Sequence, residues 1–204
     1  MFYYIEFMMM TTPRPPISIA PYHAAWPDEF MALGRDLRRA LGSLALRIDH
    51  IGSTSVPGLA AKDIIDIQVT AAGLEPAVEQ AVSGIGYARR LSITGDHLPP
   101  GGSSDPAEWQ KWYFDPPAGQ RPTHLHLRVA GRANQRYPLL FRDYLRAHPA
   151  SAEAYAQVKM ALARYHALDV TAFYDIKDPV CDLIIGGAEV WAAATGWRLG
   201  PSDA

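Results

Sequence analysis

Residues 48–69 hold the strongest chemical signal in the chain. Gly52-Ser53-Thr54-Ser55 follows an apolar, strand-like run, Val56-Pro57-Gly58 comes next, and a second apolar run, Ile64 to Val69, carries Asp66. A turn rich in small residues, hydroxyls and backbone N–H groups suits phosphate oxygens, and Lys62 adds a cation close by. A carboxylate returned beside that turn suits the divalent ion that accompanies a nucleotide phosphate. The plainer reading is that strand exits commonly use Gly and Ser, and that Asp66 accepts backbone N–H bonds.

Strand parity puts Ile64, Asp66 and Gln68 on one face, and Asp63, Ile65 and Ile67 on the other. Gln68, not Asp63, is therefore the neighbour of Asp66. Two-metal phosphoryl transfer usually has a second carboxylate there, and an amide is a poorer ligand. His124-Leu125-His126-Leu127 repeats the alternation, so both imidazoles share one strand face. They can grip a metal or an anion, and one of them can equally be a satisfied buried histidine. Asp66 with His124 and His126 makes a 2-His-1-carboxylate set for Fe, Mn or Zn. His50 falls with Gly52 by parity. Farther on, Lys159 and Lys177 can reach a phosphate or remain solvated lysines. Arg142, Asp143 and Arg146 read as an intrahelical ion pair. Trp109 and Trp112 read as core packing, with base stacking as the alternative.

Helical spacing of Trp26, Phe30, Leu33, Leu37 and Leu41 predicts a helix over Tyr22 to Leu41. Strands are expected at Leu44 to Gly52, Asp63 to Thr70, Tyr87 to Thr94, Trp109 to Phe114 and Thr123 to Val129. A helix is expected at Leu74 to Ile85, and a surface loop at Gly95 to Ala107. The chain then turns helical: Tyr137 to His148, Ser151 to His166 with Ser151 as N-cap, and Thr171 to Thr195, broken near Pro179. This is an α+β chain with its sheet in residues 22–130, a helical lobe in 131–197 and a tail at 198–204. Residues 1–21 read as an extension outside the core, with Met1 to Thr12 dispensable and an extra edge strand as the alternative.

The chain has 204 residues, 49% of them hydrophobic and 20% charged, which fits one globular domain. A net charge of -2 does not indicate a nucleic-acid binder. The single cysteine, Cys181, excludes an internal disulfide and a cysteine-based zinc cluster. It reads as a small buried hydrophobe and fits a reducing, cytoplasmic setting. The apolar N-terminal run is too short to span a bilayer.

The segment Asp49 to Asp66 (DHIGSTSVPGLAAKDIID), His124-Leu-His126, Phe141 to Arg146 (FRDYLR), Tyr155 to Lys159, and Lys177 together resemble the GrpB family, from about Tyr22 to Trp197. The resemblance implies a nucleotidyltransferase-like fold: a small mixed sheet flanked by helices, with a C-terminal helical lobe. In some proteins such a domain is fused to a dephospho-CoA kinase. Gly52 and Ser53 match the transferase Gly-Ser turn, and Asp66 matches the first metal carboxylate. Gln68 stands where the second acid belongs and His126 where the third does.

The expected function is binding of a nucleotide or phosphorylated small molecule, with transfer of a nucleotidyl or phosphoryl group. Asp66 and His126 would be catalytic. Gly52, Ser53, Thr54, Ser55, Lys62, Lys159 and Lys177 would hold phosphate. Asp66, Gln68, His124 and His126 would hold a divalent metal, Mg or Mn. The alternatives are a non-catalytic module for a nucleotide or CoA-like ligand, and a His/Asp metalloenzyme.

Overall fold

The computed structural model describes residues 15–204. Its first helix, α1 (Trp26–Leu41), starts four residues later than the periodicity predicts. Pro27 explains this, because proline is tolerated only in the first helical turn. Asp28 and Glu29 lie in the first turn and Arg38 and Arg39 in the last, matching the helix dipole. Trp26, Phe30, Leu37 and Leu41 form its buried stripe.

Two strands follow, β1 (Arg47–Ile51) and β2 (Ile65–Ala71), with a single 3₁₀ turn at Ser53–Ser55 between them. After α2 (Pro76–Gly84) come β3 (Ala88–Arg89), β4 (Trp112–Asp115) and β5 (Thr123–Val129). The strand expected over Tyr87 to Thr94 shrinks to two residues. Arg90 turns out to pair with Asp115, and Leu91 is 71% exposed, so the run has no face to bury. The loop behind it folds back through Asp96 N–H to Trp109 O and Lys111 N–H to Thr94 O. Pro106–Trp109 forms a 3₁₀ turn capped by Asp105, which delays β4.

The sheet order is β1-β2-β5-β4-β3. Only β2 and β5 run parallel, and their register sets Asp66 opposite His124 and Gln68 opposite His126. Ile65, Ile67, Val69, Leu125 and Leu127 leave the sheet on one side and join the core with α1 and α2. The intervening Asp66, Gln68, His124, His126 and Arg128 take the other side. There stand α3 (Ala133–Ala147), α4 (Pro149–Tyr165) and α5 (Val170–Thr195). Val56 and Leu59 carry the Gly-Ser turn into a second apolar cluster with Leu145, Tyr155 and Ala156.

Three local expectations change. Pro149, not Ser151, opens α4, taking the first helical position. Pro179 lies inside an unbroken α5. Residues 198–204 are no loose tail but run along the outer edge of β1. Arg47 donates to Gly200 O (2.7 Å) and Pro201 O (2.9 Å), Ile48 N–H to Ser202 Oγ (2.8 Å), and Ala204 N–H to Ile48 O (3.1 Å). Part of the expected extension also joins the body: Ile17 N–H donates to Ala167 O, and Ala20 pairs with Ala61. Met1 to Thr12 lie outside the described residues. Among those described, no helix is long and apolar enough to cross a membrane.

Asp203 is the anchor of the β1 edge, accepting from His50 N–H (2.9 Å) and Arg142 Nη1 (2.7 Å). Asp203→Ala leaves a buried donor and part of a buried guanidinium unpaired. It is expected to cost about 1–3 kcal/mol, read in thermal denaturation as a Tm lower by roughly 3 °C or more.

Candidate metal and phosphate site

The site begins where β1 ends. Gly52 adopts φ +69°, and a Cβ built there would lie 2.8 Å from Asp66 Cγ and 2.9 Å from Asp66 Cβ. Both the backbone conformation and the close approach require glycine. The carboxylate of Asp66 thereby lies directly beneath the turn.

Asp66 Oδ1 lies 2.9 Å from His124 Nδ1 and 3.9 Å from His126 Nε2. One ligand atom from each of the three side chains lies within 4.8 Å of the others. Burial alone would raise the Asp66 carboxyl, but the two imidazoles beside it hold it well below the usual carboxylate range. Burial, reinforced by the Arg128 guanidinium, lowers His126 to about 4. His126 is therefore neutral at pH 7, the form that ligates a metal. Its Nδ1 is buried without a hydrogen-bond partner among the described residues. The Tyr113 ring packs on both imidazoles, at 5.6 Å from His124 and 5.3 Å from His126.

On the other flank of Gly52, Lys159 Nζ reaches across from α4. It donates to Ser53 Oγ (2.8 Å) and Ala60 O (2.6 Å) and sits 4.5 Å from the Tyr155 ring centroid. Only 3% exposed, Lys159 is lowered by burial to about 7. Lys177 Nζ lies 2.8 Å from Asp178 Oδ1 and 3.6 Å from Cys181 Sγ. Burial would lower its pKa, but those neighbours raise it. Lys62 Nζ donates to Tyr174 Oη (3.2 Å) and lies over Phe173 and Tyr174. Lys177 approaches the same Tyr174 ring at 5.4 Å. Lys62, from the loop before β2, and Lys177, from α5, thus meet at the Tyr174 ring, while Lys159 alone touches Ser53.

Other expected participants are used differently. Thr54 Oγ1 pairs with His50 Nε2 (3.0 Å), and Ser55 Oγ donates to Gly52 O (2.6 Å). Their hydroxyls brace the turn instead of facing a phosphate. His50 stacks on Phe30 at 4.7 Å, and burial lowers it to about 4, so it is a structural histidine. Gln68 is fully buried: Nε2 donates to Gln135 O (2.9 Å), and Oε1 accepts from Arg128 Nη1 (2.7 Å). Its oxygen is committed to a cation already. Trp109 donates to Ser103 O (2.8 Å), and Trp112 lies under the Arg89 guanidinium. Cys181 is half-buried, packed against the apolar cluster of Val56, Leu59 and Tyr155, with its Sγ 3.4 Å from Tyr155 Oη.

Sequence reasoning missed two groups. The first is the longer reach of Arg142 and Arg146, which form the expected intrahelical pair with Asp143 (2.8 and 3.8 Å) and also leave the helix for the turn. Arg142 Nη1 donates to His50 O (3.0 Å), and Arg146 donates twice to Ser55 O (3.0 and 2.8 Å). They clamp the Gly-Ser turn from α3. The second is Asp96 with Arg128, Lys111 and Asn134. Asp96 takes a bidentate pair from Arg128 (2.8 and 2.9 Å), Lys111 Nζ (2.5 Å) and Asn134 Nδ2 (3.0 Å). Arg128 was findable, two residues after His126 on the same strand face. Asp96, in a polar loop, carries no local signal.

A family profile described as GrpB protein matches residues 16–186, and the chain belongs to that family. Among its relatives, UPF0157 protein PA4798 of Pseudomonas aeruginosa is 36% identical over 200 residues, covering 88% of this chain and 76% of that protein. A protein of Mycolicibacterium paratuberculosis named dephospho-CoA kinase is 36% identical over 199 residues, 91% of this chain. The chain spans only 49% of that relative's length. The crystal structure of conserved protein GrpB from Enterococcus faecalis overlays with a TM-score of 0.67 at 29% identity, covering 85% of this chain and 99% of that one.

Two outcomes are expected. Gly52→Ala drives a methyl into Asp66 at a left-handed φ, so it is expected to cost about 1–3 kcal/mol of stability, read as a lower Tm in thermal denaturation. Acidification should also destabilise the fold. His50 and His126 titrate near 4 when folded and near 6.5 when unfolded. The unfolded chain thus binds more protons between those values, and stability falls as pH drops through the window. Each group contributes at most about 1.4 kcal/mol per pH unit. The fall in Tm from pH 7 to pH 5 should be shallower in His126→Gln.

Proposed function

We propose that this protein binds a nucleotide or another phosphorylated small molecule together with a divalent ion, and transfers a phosphoryl or nucleotidyl group. One observation carries the reading: Gly52 separates two complementary half-sites by a single residue's width. Asp66, His124 and His126 lie on one flank, and Ser53 with Lys159 on the other. The N–H groups that open the 3₁₀ turn have no partner within it and, with Ser53 Oγ, would receive phosphate oxygens. Lys62, Lys159 and Lys177 would balance the anion's charge.

Asp66, His124 and His126 fit a metal by their donor chemistry: one carboxylate oxygen and imidazole nitrogens, with His126 neutral. Such a set suits Mn, Zn or Fe better than Mg, which prefers all-oxygen ligation. A bound ion would offset charge on the transferring group. Asp66 and His126 would hold and orient it, and Tyr113 would screen one side of the cluster from water. A CoA-like ligand is one candidate phosphorylated compound, because relatives named dephospho-CoA kinase contain a matching region.

Gln68 favours a second reading, a binding module without turnover. The position of a second acid is held by an amide tied to Arg128, so a second ion has no carboxylate there.

A thermal-shift and calorimetric series with Mn²⁺, Zn²⁺, Mg²⁺, ATP and dephospho-CoA tests both readings. Ligand at about 100 times Kd should add about 2.7 kcal/mol of stability. Asp66→Ala is expected to remain folded and lose the metal-dependent part of the rise. If Asp66→Ala only unfolds the protein, the metal reading fails.

Lys159 adds a proton signature. Its folded pKa near 7 lies below the unfolded value, so the fold gains stability as pH rises above 7. A bound phosphate would pull that pKa up, so binding at pH 8 should take up close to one proton. Calorimetry in two buffers of different ionisation enthalpy measures this uptake, and Lys159→Met should abolish it.

A further inference from the structure

Helix α5 runs for 26 residues, or about 39 Å. One side of it joins the bundle through Phe173, Ile185, Ala188 and Ala192. The opposite side is apolar as well, and it faces outward. Leu183 is 78% exposed, Val190 72% and Ile176 44%. Pro179, Gly186 and Ala193 are exposed between them. These positions follow the alternating three- and four-residue steps of a helix–helix seam. A contiguous apolar strip on the surface marks an interaction site.

The strip alternates in size. Ile176, Leu183 and Val190 are bulky, whereas Pro179, Gly186 and Ala193 are small. A second, antiparallel α5, centred between Leu183 and Gly186, sets Leu183 against Gly186, Ile176 against Ala193 and Val190 against Pro179. Each bulky side chain then meets a small one, so the facing layers interdigitate. Nothing lies within 4 Å of a Cβ built on Gly186, so its hollow is open. A parallel pair would set Leu183 on Leu183 and Gly186 on Gly186, giving crowded and empty layers in turn.

Charge and area agree with the antiparallel arrangement. Helical geometry puts Asp178, Asp182 and Glu189 on one flank of the strip. The acids there are not bare: Asp178 holds Lys177, Asp182 holds His97, and Glu189 holds Arg136 from α3. In the antiparallel pair like flanks meet, and Glu189 falls level with Val180 of the second copy. Arg136 is thereby brought level with Asp178 and Asp182 of the second copy. Two faces, each about 39 Å long and about 10–12 Å across, amount to on the order of 1,000 Å², where specific interfaces begin. Beside the strip, a groove of about 710 Å³ between α5 and the loop Pro99 to Ser103 can admit further side chains.

We propose that the outer face of α5 is a self-association surface, through which two copies of this chain pair with their α5 helices antiparallel. Such a contact is isologous, so it closes as a dimer instead of extending into a fibre. The proposal goes beyond the phosphate and metal reading and does not rest on it.

Light scattering of the full chain over a wide range of concentration should give twice the mass of one chain. Leu183→Glu buries a charge in the seam from each copy and should raise the dissociation constant at least about 100-fold. Its circular dichroism should stay that of wild type, because residue 183 is exposed in the single chain. Orientation is read by disulfide trapping in a Cys181→Ser background. Ile176→Cys and Ala193→Cys proteins should cross-link to each other when mixed, and Ile176→Cys should not cross-link to itself. A monomer at every concentration overturns the proposal, and α5 then serves a different partner. A dimer that survives Leu183→Glu overturns it too, as does self-cross-linking of Ile176→Cys.

Discussion

Everything at this site depends on one missing methyl. Gly52 lies so close to Asp66 that any side chain would displace the carboxylate, and this contact joins the two half-sites. On one side it presses Asp66 toward His124 and His126. On the other it starts the 3₁₀ turn that presents Ser53 to Lys159. The pairing of β1 with β2, with Ile51 opposite Asp66, is what brings the turn over the acid.

Holding that contact requires buried charge, and the helical lobe supplies it. Arg142 and Arg146 grip the carbonyls of His50 and Ser55 on either side of Gly52. Arg128 grips Gln68 and Asp96 on the far side of the cluster. Each guanidinium is planar and rich in donors, so one side chain satisfies several acceptors at fixed angles. The lobe therefore sets the geometry of the turn as well as contributing lysines. Asp96 likewise ties a polar loop to the sheet, so the wall of the cleft belongs to the same network as its floor.

Much of this was legible in the sequence. Period-two alternation located β2 and β5, and it placed Asp66, His124 and His126 on a common face, because burial of Ile65, Ile67, Leu125 and Leu127 admits only one register. Lys159 stood out as a lysine among apolar residues, and it is buried. What stayed hidden lay in the partners. Thr54, Ser55 and Gln68 look like ligand groups by type, but Thr54 and Ser55 are taken up within their own turn by His50 and Gly52, and Gln68 by distant segments, Gln135 on α3 and Arg128 on another strand. Asp96 and residues 200–204 lack periodicity and reveal themselves only through long-range bonds. Type and spacing say which way a side chain points, and only tertiary structure says what meets it.

The distances along the chain between these partners also bear on how the molecule is made. Asp66 and His124 are 58 residues apart, Ser53 and Lys159 are 106 apart, and Arg47 meets Pro201 across 154. At roughly 5–20 residues per second of translation, Asp66 is synthesised roughly 3–12 seconds before its imidazole partner. The outer edge of β1 stays bare longer still, and an unpaired strand edge is a template for pairing with other chains. Until residues 200–204 are made, that uncovered edge lies on the same strand that leads into the Gly-Ser turn.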